Sequence, residues 1–332
     1  MKKFIFLYLF FYSLCSHSGD FQENAPWSKH FKKIFEEIKK IPMKKISVAA
    51  AEDSHVIEAV NIAKEKGIAD AILVGNEKKI RKIASEKNIN IDKFEIINEE
   101  DPITSSKIAV KLVHDGKADM YMKGILQTKD FLKSILDKDI GLRSGAMLSH
   151  VAVFEVKGID QLLFMTDGGF VVEPTLEDKV HLIENAVKVA QACGIETPKV
   201  APLCAVEVVN PKMRCTVDGK KLTEMNENGE IKNCIIDGPM SMDMAISREA
   251  CEIKGALNRK ITGDADILLF PDIHSNNLSA KFVAHTTEHY AGMILAGTKA
   301  PVILTSRSDD INTKVTSIAF ASYIAENMKK LN

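Results

Sequence analysis

Four apolar runs of strand length in this chain each break off into a polar motif bearing glycine or serine: MYMKG ending at Gly124, CIIDGPMSMD from Cys234, ILLFPDIHSNN from Ile267 and VILTSRSDD from Val302. An apolar run that stops at Gly, Ser, Asp or Asn and then resumes with helical periodicity is how an α/β sheet presents side chains at the carboxyl ends of its strands, where ligands bind. The motifs supply an arginine, hydroxyls, amides and backbone donors. They contain no glycine loop that would cradle a nucleotide and no clustered metal ligands, so a small anion and a carbonyl compound are the expected substrates and no metal is expected.

From residue 43 onward, strand and helix signals alternate. Residues 46–51 read as a buried strand, and Asp53 caps a helix over 56–66 that stops at Gly67. Strand 71–74, helix 78–86, strand 94–97, helix 105–114 and strand 119–122 continue the alternation, which is that of a parallel, doubly wound sheet. Near Met147 the pattern loosens: 151–156 and 161–166, separated by Lys157 and Gly158, read as an inserted hairpin. Then follow helix 176–193, strand 200–206, a polar helical stretch at 217–226, strand 234–236, helix 244–254, strand 267–270, helix 278–293, strand 302–305 and helix 313–328. A chain of 332 residues is roughly two domains' worth at about 150 residues each, and the change of pattern near Met147 is the expected boundary.

Apolar residues at 45% and charged residues at 27% describe an ordinary globular protein, and a net charge of −1 gives no concentrated basic face for nucleic acid. Lysines such as Lys78, Lys79 and Lys82 read as a solvated helix face. Residues 1–18 differ from the rest. Lys2 and Lys3 precede an apolar stretch at 4–14 that has the form of a secretory signal and is too short to span a bilayer. Cys193, Cys204, Cys215, Cys234 and Cys251, like Cys15, lack paired spacing and read as reduced thiols. A start assigned too early, with the working protein beginning near Trp27 or Met43, reconciles that leader with a body that looks cytoplasmic.

Each motif also has a purely structural reading. Asp237, Gly238 and Pro239 suit a strand-to-helix turn, with Asp243 as a helix cap. Asn277, next to Leu278, suits an N-cap, and His274 has no second histidine at ligand spacing. Ser306, Arg307, Ser308, Asp309 and Asp310 form the most chemical segment: arginine offers a planar fork for phosphate, and a serine hydroxyl can donate to a developing oxyanion. Arg143, ahead of Ser149 and His150, is a second candidate anion contact.

The stretches ADMYMKGILQTKDFLKSIL, GLRSGAMLSHVAVFEV, DGPMSMDMAI, ADILLFPDIHSNNLSAKFV and KAPVILTSRSDD, in that order from about Met43 to the C-terminus, resemble the phosphate acetyltransferase and phosphate butyryltransferase family, more closely its butyryl branch. The resemblance implies two α/β domains around a cleft, as in isocitrate and isopropylmalate dehydrogenases. The terminal segments (27–146 and 300–332) would share one domain and 147–299 form the other, the whole of 43–332 being one acyltransferase unit. It implies reversible acyl transfer between coenzyme A and phosphate by a homodimer or larger assembly, with acyl-CoA and phosphate as substrates and no separate cofactor. A nucleic-acid or membrane partner is not expected; an acyl kinase is a pathway partner the resemblance suggests.

In the family, the pair matching Ser306 and Arg307 is assigned to the site, the arginine on phosphate and the serine near developing charge. The acetyl branch has an aspartate base seven positions after that serine. Here the position is Thr313, which leaves Asp309 and Asp310 as nearby substitutes. Substrate contacts are expected from Arg143, Ser149, Lys123, Gly124, Asp237, Asp243 and Asn277. Three other readings stay open: an acetyl preference, a metal- and NAD-dependent β-decarboxylating dehydrogenase on the same fold, and a non-catalytic acyl-CoA-binding protein.

Overall fold

The structure is a computed structural model that describes residues 21, 23 and 25–331. Residues 1–20, on which most of the leader reading and Cys15 fall, lie outside the described residues. Eleven strands form one mixed sheet: β1 (Lys44–Ala49), β2 (Ala69–Gly75), β3 (Glu95–Asn98), β4 (Met120–Lys123), β5 (Ser149–Val156), β6 (Leu163–Thr166), β7 (Lys199–Pro202), β8 (Ile235–Ile236), β9 (Ile267–Leu269), β10 (His289–Ala296) and β11 (Val302–Ile303). Their spatial order is β3-β2-β1-β4-β11-β10-β5-β6-β9-β7-β8. The first five in that order are mutually parallel, as are the last four. Between these blocks run β10 and β5, the two longest strands, antiparallel to each other and to their outer neighbours.

The helices are α1 (His30–Ile38), α2 (Ser54–Glu65), α3 (Glu77–Glu86), α4 (Pro102–His114), α5 (Thr128–Ile135), α6 (Leu176–Ala192), α7 (Arg214–Glu227), α8 (Met242–Ile246), α9 (Arg248–Ile253), α10 (Ile273–Thr286) and α11 (Ile311–Leu331). Among the described residues none is long and apolar enough to cross a membrane. Local chemistry accounts for several boundaries. Asp53 accepts the Val56 amide and starts α2, and Thr175 with Asp178 forms a reciprocal capping box on α6. The start of α1 is held from another strand, since the buried Glu155 carboxylate on β5 accepts the amides of Lys29, His30 and Phe31 and the Ser28 hydroxyl.

The expected hairpin is present, with Ala152 opposite Met165, and the alternation up to β4 follows the sequence reading. Three expectations need correction. The helix expected over 278–293 is α10 followed by a strand: Asp272, not Asn277, is its cap, and the chain turns extended at Thr287 to enter β10. The helix expected over 244–254 breaks at Ser247, whose extended backbone and side chain, accepting from the Ala250 amide, start α9 afresh. The strand expected over 200–206 ends at Pro202, with a lone bridge from Leu203 to Met240 beyond it.

Two further helices, α1 and α5, were not anticipated. α1 buries Phe31, Ile34, Phe35 and Ile38, each worth about 1.5–3 kcal/mol when fully buried. A chain beginning at Met43 would forgo that contribution.

The cores differ between the two faces of the sheet. On one face a single apolar cluster runs its whole width, joining Phe31 of α1, Val60 of α2, Leu182 of α6 and Phe320 of α11 over strand residues such as Met122, Val151 and Ile267. The other face carries two separate clusters. One packs Val110 and Phe131 of α4 and α5 on Ile72, Tyr121 and Val302; the other packs Met244 and Cys251 of α8 and α9 on Phe154, Met165 and Leu268. The sheet is thus covered by one continuous core on one side and by two separate cores on the other.

Candidate active site

Side chains alternate between faces along a strand. Tyr121 lies on the divided face, so Lys123 does too, and for the same reason so do His150 (beside Val151) and Leu304 (two residues after Val302). β11 then runs into the loop Ser306–Asp310, which leads directly into α11. These groups come together on the divided face. His150 is within electrostatic reach of Asp309, and its ring N–H donates to the Leu304 carbonyl; Lys123 feels both Arg307 and Lys314.

The loop is tightly built. Asp309 accepts the Ser306 amide through Oδ2 at 2.6 Å, and Asp310 caps α11 by accepting the Thr313 amide at 2.7 Å. Lys314, only 3% exposed, reaches back from α11 and donates to the carbonyls of Ser306 (3.0 Å) and Asp309 (2.8 Å). Burial pulls the Lys314 pKa below its ordinary value, while Asp309, Asp53 and Asp310 oppose that shift. Ser306 Oγ lies 3.1 Å from Ser308 Oγ, and Arg307 stands exposed at the tip.

Lys123 closes β4 beside this loop. Burial and then the Arg307 charge lower its pKa, against a smaller opposing effect of Asp53. The next residue, Gly124, packs so closely on β1 that a Cβ there would lie 2.1 Å from the Ala50 carbonyl oxygen. His150 is anchored from the other side: Asp167 accepts its backbone amide at 2.9 Å and also accepts the amides of Gly169 and Phe170. Burial lowers the His150 pKa against the nearby carboxylate of Asp167. Among the described residues no group of three His, Cys, Asp or Glu side chains is placed to hold a metal ion. A cavity of about 320 Å³ between α1 and α11, lined by Lys33, Glu37 and Tyr323, is remote from these strand ends.

The model of the phosphate acetyl/butaryl transferase family matches residues 30–105 and 99–322. The chain belongs to that family. It is 49% identical over 299 residues to the phosphate butyryltransferase of Clostridium acetobutylicum, covering 90% of this chain and 99% of that one. The phosphate acetyltransferase of Thermotoga maritima is 41% identical, covering 85% of this chain and 95% of its own. Among solved structures, a branched-chain phosphotransacylase from Enterococcus faecalis superposes with TM-score 0.76 at 31% identity, over 85% of this chain and 99% of that one. A 4-hydroxythreonine-4-phosphate dehydrogenase from Klebsiella pneumoniae shares the fold alone, with TM-score 0.52 and 12% identity.

For a member of this transferase family, the sequence-derived candidates divide sharply. Ser306, Arg307, Asp309, Asp310, Lys123 and Gly124 meet at the ends of β4 and β11. Arg143 does not join them through its backbone: it bridges to Thr298 in the turn that enters β11, at the opposite end of that strand from Ser306. Ser149 is buried and accepts from Asn185 Nδ2 at 2.9 Å. Asp237 is held by Arg259, with Nη2 to Oδ1 at 2.6 Å, and also accepts the Ile261 amide. Asp243 does not cap a helix with its carboxylate; it pairs with Lys254 at 2.9 Å, and hydrogen bonds from Ser241 and Lys254 hold its pKa down at about 2. Asn277 lies inside α10 and donates to the Gly168 carbonyl at 3.0 Å.

Lys314, His150 and Asp167 were not selected from sequence. A lysine at 314, on the stripe that continues through Val315 and Ile318, was the available signal for the first, because a buried charge must find partners.

Proposed function

We propose that this protein is a phosphate butyryltransferase, moving a butyryl or similar short-chain acyl group reversibly between coenzyme A and inorganic phosphate. The observation that carries this reading is the Ser306–Asp310 loop: an exposed guanidinium on a loop pinned by Lys314, beside the buried Lys123 ammonium at the divided face of the sheet. The 49% identity to a butyryltransferase favours that branch over the acetyl branch. Arg307 holds phosphate by its planar fork, and Ser306 donates to the oxyanion that forms as phosphate adds to the thioester carbonyl. Alignment of the two reactants in one cleft supplies much of the remaining rate.

The cleft in this reading separates two α/β domains arranged as in isocitrate dehydrogenase-like proteins: 27–146 with 300–332, and 147–299. Two parallel blocks of strands joined by β5 and β10, with two separate cores on one face, support it. The reading further takes the enzyme as a cytoplasmic homodimer or larger assembly, with no cofactor besides its coenzyme A substrate and with an acyl kinase as the pathway neighbour that uses its acyl phosphate.

The test is phosphate-dependent release of free thiol from acetyl-, propionyl-, butyryl- and valeryl-CoA. The butyryl ester should give the highest kcat/KM. Higher efficiency on acetyl-CoA would move the protein to the acetyl branch, and no phosphate-dependent thiol release from any ester would refute acyl transfer.

A further inference from the structure

Four lysines are buried among the described residues, and three have evident partners. Lys44 pairs with Glu326 and Lys179 with Asp218, each at 2.7 Å, while Lys314 donates to two carbonyls. Lys123, 7% exposed, is the exception: its Nζ makes one long bond of 3.3 Å to the carbonyl of its own neighbour Gly124, and no described carboxylate lies within ion-pair distance. A buried ammonium with one weak partner is costly; such a group sheds its proton or waits for an anion.

The charged groups facing it set how firmly it holds its proton. Arg307 and Lys314 approach from the loop after β11 and from α11, and Asp53 from the loop after β1. The Asp53 carboxylate is already engaged in capping α2. With two cations and one committed carboxylate around it, buried Lys123 holds its proton less firmly than an ordinary lysine. A phosphate dianion on Arg307 would raise the affinity of Lys123 for a proton.

Acyl transfer has such a proton to move. Hydrogen phosphate carries one that must leave as its oxygen bonds to carbon, and the departing thiolate must gain one. The carboxylates nearest in sequence are occupied, Asp309 on the Ser306 amide and Asp310 on the Thr313 amide, and Thr313 has no basic side chain. His150 is placed by Asp167 and the Leu304 carbonyl and senses Asp309, whereas Arg307, the phosphate ligand, is the neighbour of Lys123.

We propose that Lys123 is the proton carrier of the reaction, its amine taking the proton of the attacking phosphate and passing it to the sulfur of the departing coenzyme A. The new bond joins a phosphate oxygen to the acyl carbon, the carbon–sulfur bond breaks, and the proton goes from oxygen to nitrogen to sulfur with no net uptake or release. This rests on the acyl-transfer reading above.

The experiment measures wild type first; absence of phosphate-dependent thiol release there would strike the acyl-transfer reading itself. In an active enzyme, Lys123→Arg keeps the charge but cannot give up its proton, so kcat should fall about 100-fold or more while the KM for phosphate stays within about threefold. Lys123→Ala should fall similarly and regain rate with added methylamine or ethylamine, in step with amine basicity. Thermal melting of both variants reports folding, and should Lys123→Arg fail to fold, the amine rescue of Lys123→Ala decides. A Lys123→Arg enzyme with kcat within about threefold of wild type, or a folded Lys123→Ala that no amine rescues, would overturn the proposal and leave Lys123 as a fixed charge.

Discussion

At the carboxyl ends of β8 and β9, the polar side chains face one another: Asp237 is closed by Arg259, Asp243 by Lys254, Asp272 caps α10, and Asn277 ties down the Gly168 carbonyl. At the ends of β4 and β11, the polar groups that hold the backbone are Asp309, Asp310 and Lys314, and they leave Arg307 and Lys123 without a described counter-ion. Both regions follow the same rule of sequence, an apolar run that stops at a polar motif. What separates them is whether the complementary charge comes from within the protein. Where it does, the motif contributes stability; where it does not, charge is left for a ligand.

That contrast can be broken at several points. Arg259→Met would strand the buried Asp237 carboxylate and should cost about 2–3 kcal/mol, toward the low end of what losing one partner of a buried pair costs because the pair is partly exposed. Denaturant titration should show the loss with the KM for phosphate unmoved; a raised KM without lost stability would make β8 part of the site. Next is Arg307→Lys, which should lose roughly 1.5–3 kcal/mol of transition-state stabilisation, about ten- to a hundredfold in kcat/KM for phosphate, with an unchanged melting temperature and little effect on acyl-CoA. Wild-type phosphate dependence in that variant would mean that the exposed guanidinium is not the anion ligand. Asp310→Ala should cost about 1 kcal/mol through loss of the α11 cap, read by the same titration. An unchanged midpoint would show that the cap is replaceable.

The smallest effect belongs to Asp243. Its folded pKa of about 2 lies below the ordinary aspartate value, so its contribution is complete above about pH 4 and is lost as pH falls through 2. Its side chain is 51% exposed, so solvent screening limits that contribution to a few tenths of a kcal/mol. Asp243→Asn should therefore melt slightly below wild type at pH 6 and together with it near pH 2. A gap that persists at pH 2 would assign the difference to something other than the charge.

Most of the fold was legible because periodicity reports burial. The early alternation, the hairpin of β5 and β6, and the loop after β11 all follow from it. β10 was not, since its apolar run follows α10 with no proline and only Gly292 inside it, and a strand buried on both faces has no alternation to announce it. Gly292 is there for packing: a Cβ would come within 2.6 Å of the Phe320 ring. The site was half legible. Ser306, Arg307 and Lys123 stand at strand ends as the motifs implied, but Asp237 and Asp243 looked equally chemical until Arg259 and Lys254, distant in sequence or on another helix, were seen to meet them. Spacing alone cannot show which charges are already matched.

One consequence follows from where the Ser306–Asp310 loop is fastened. Lys314, its pin, belongs to α11, and the rest of that helix packs against α1, α2, α6 and β10 in the core that spans the sheet. Loops that loosen alone on warming are those with few buried contacts. This one is tied to a helix whose residues 314–322 are all buried, so heat should abolish turnover and tertiary structure in a single event. The slowest amide exchange should then extend along α11 to its first turn, next to the Ser306–Asp310 loop.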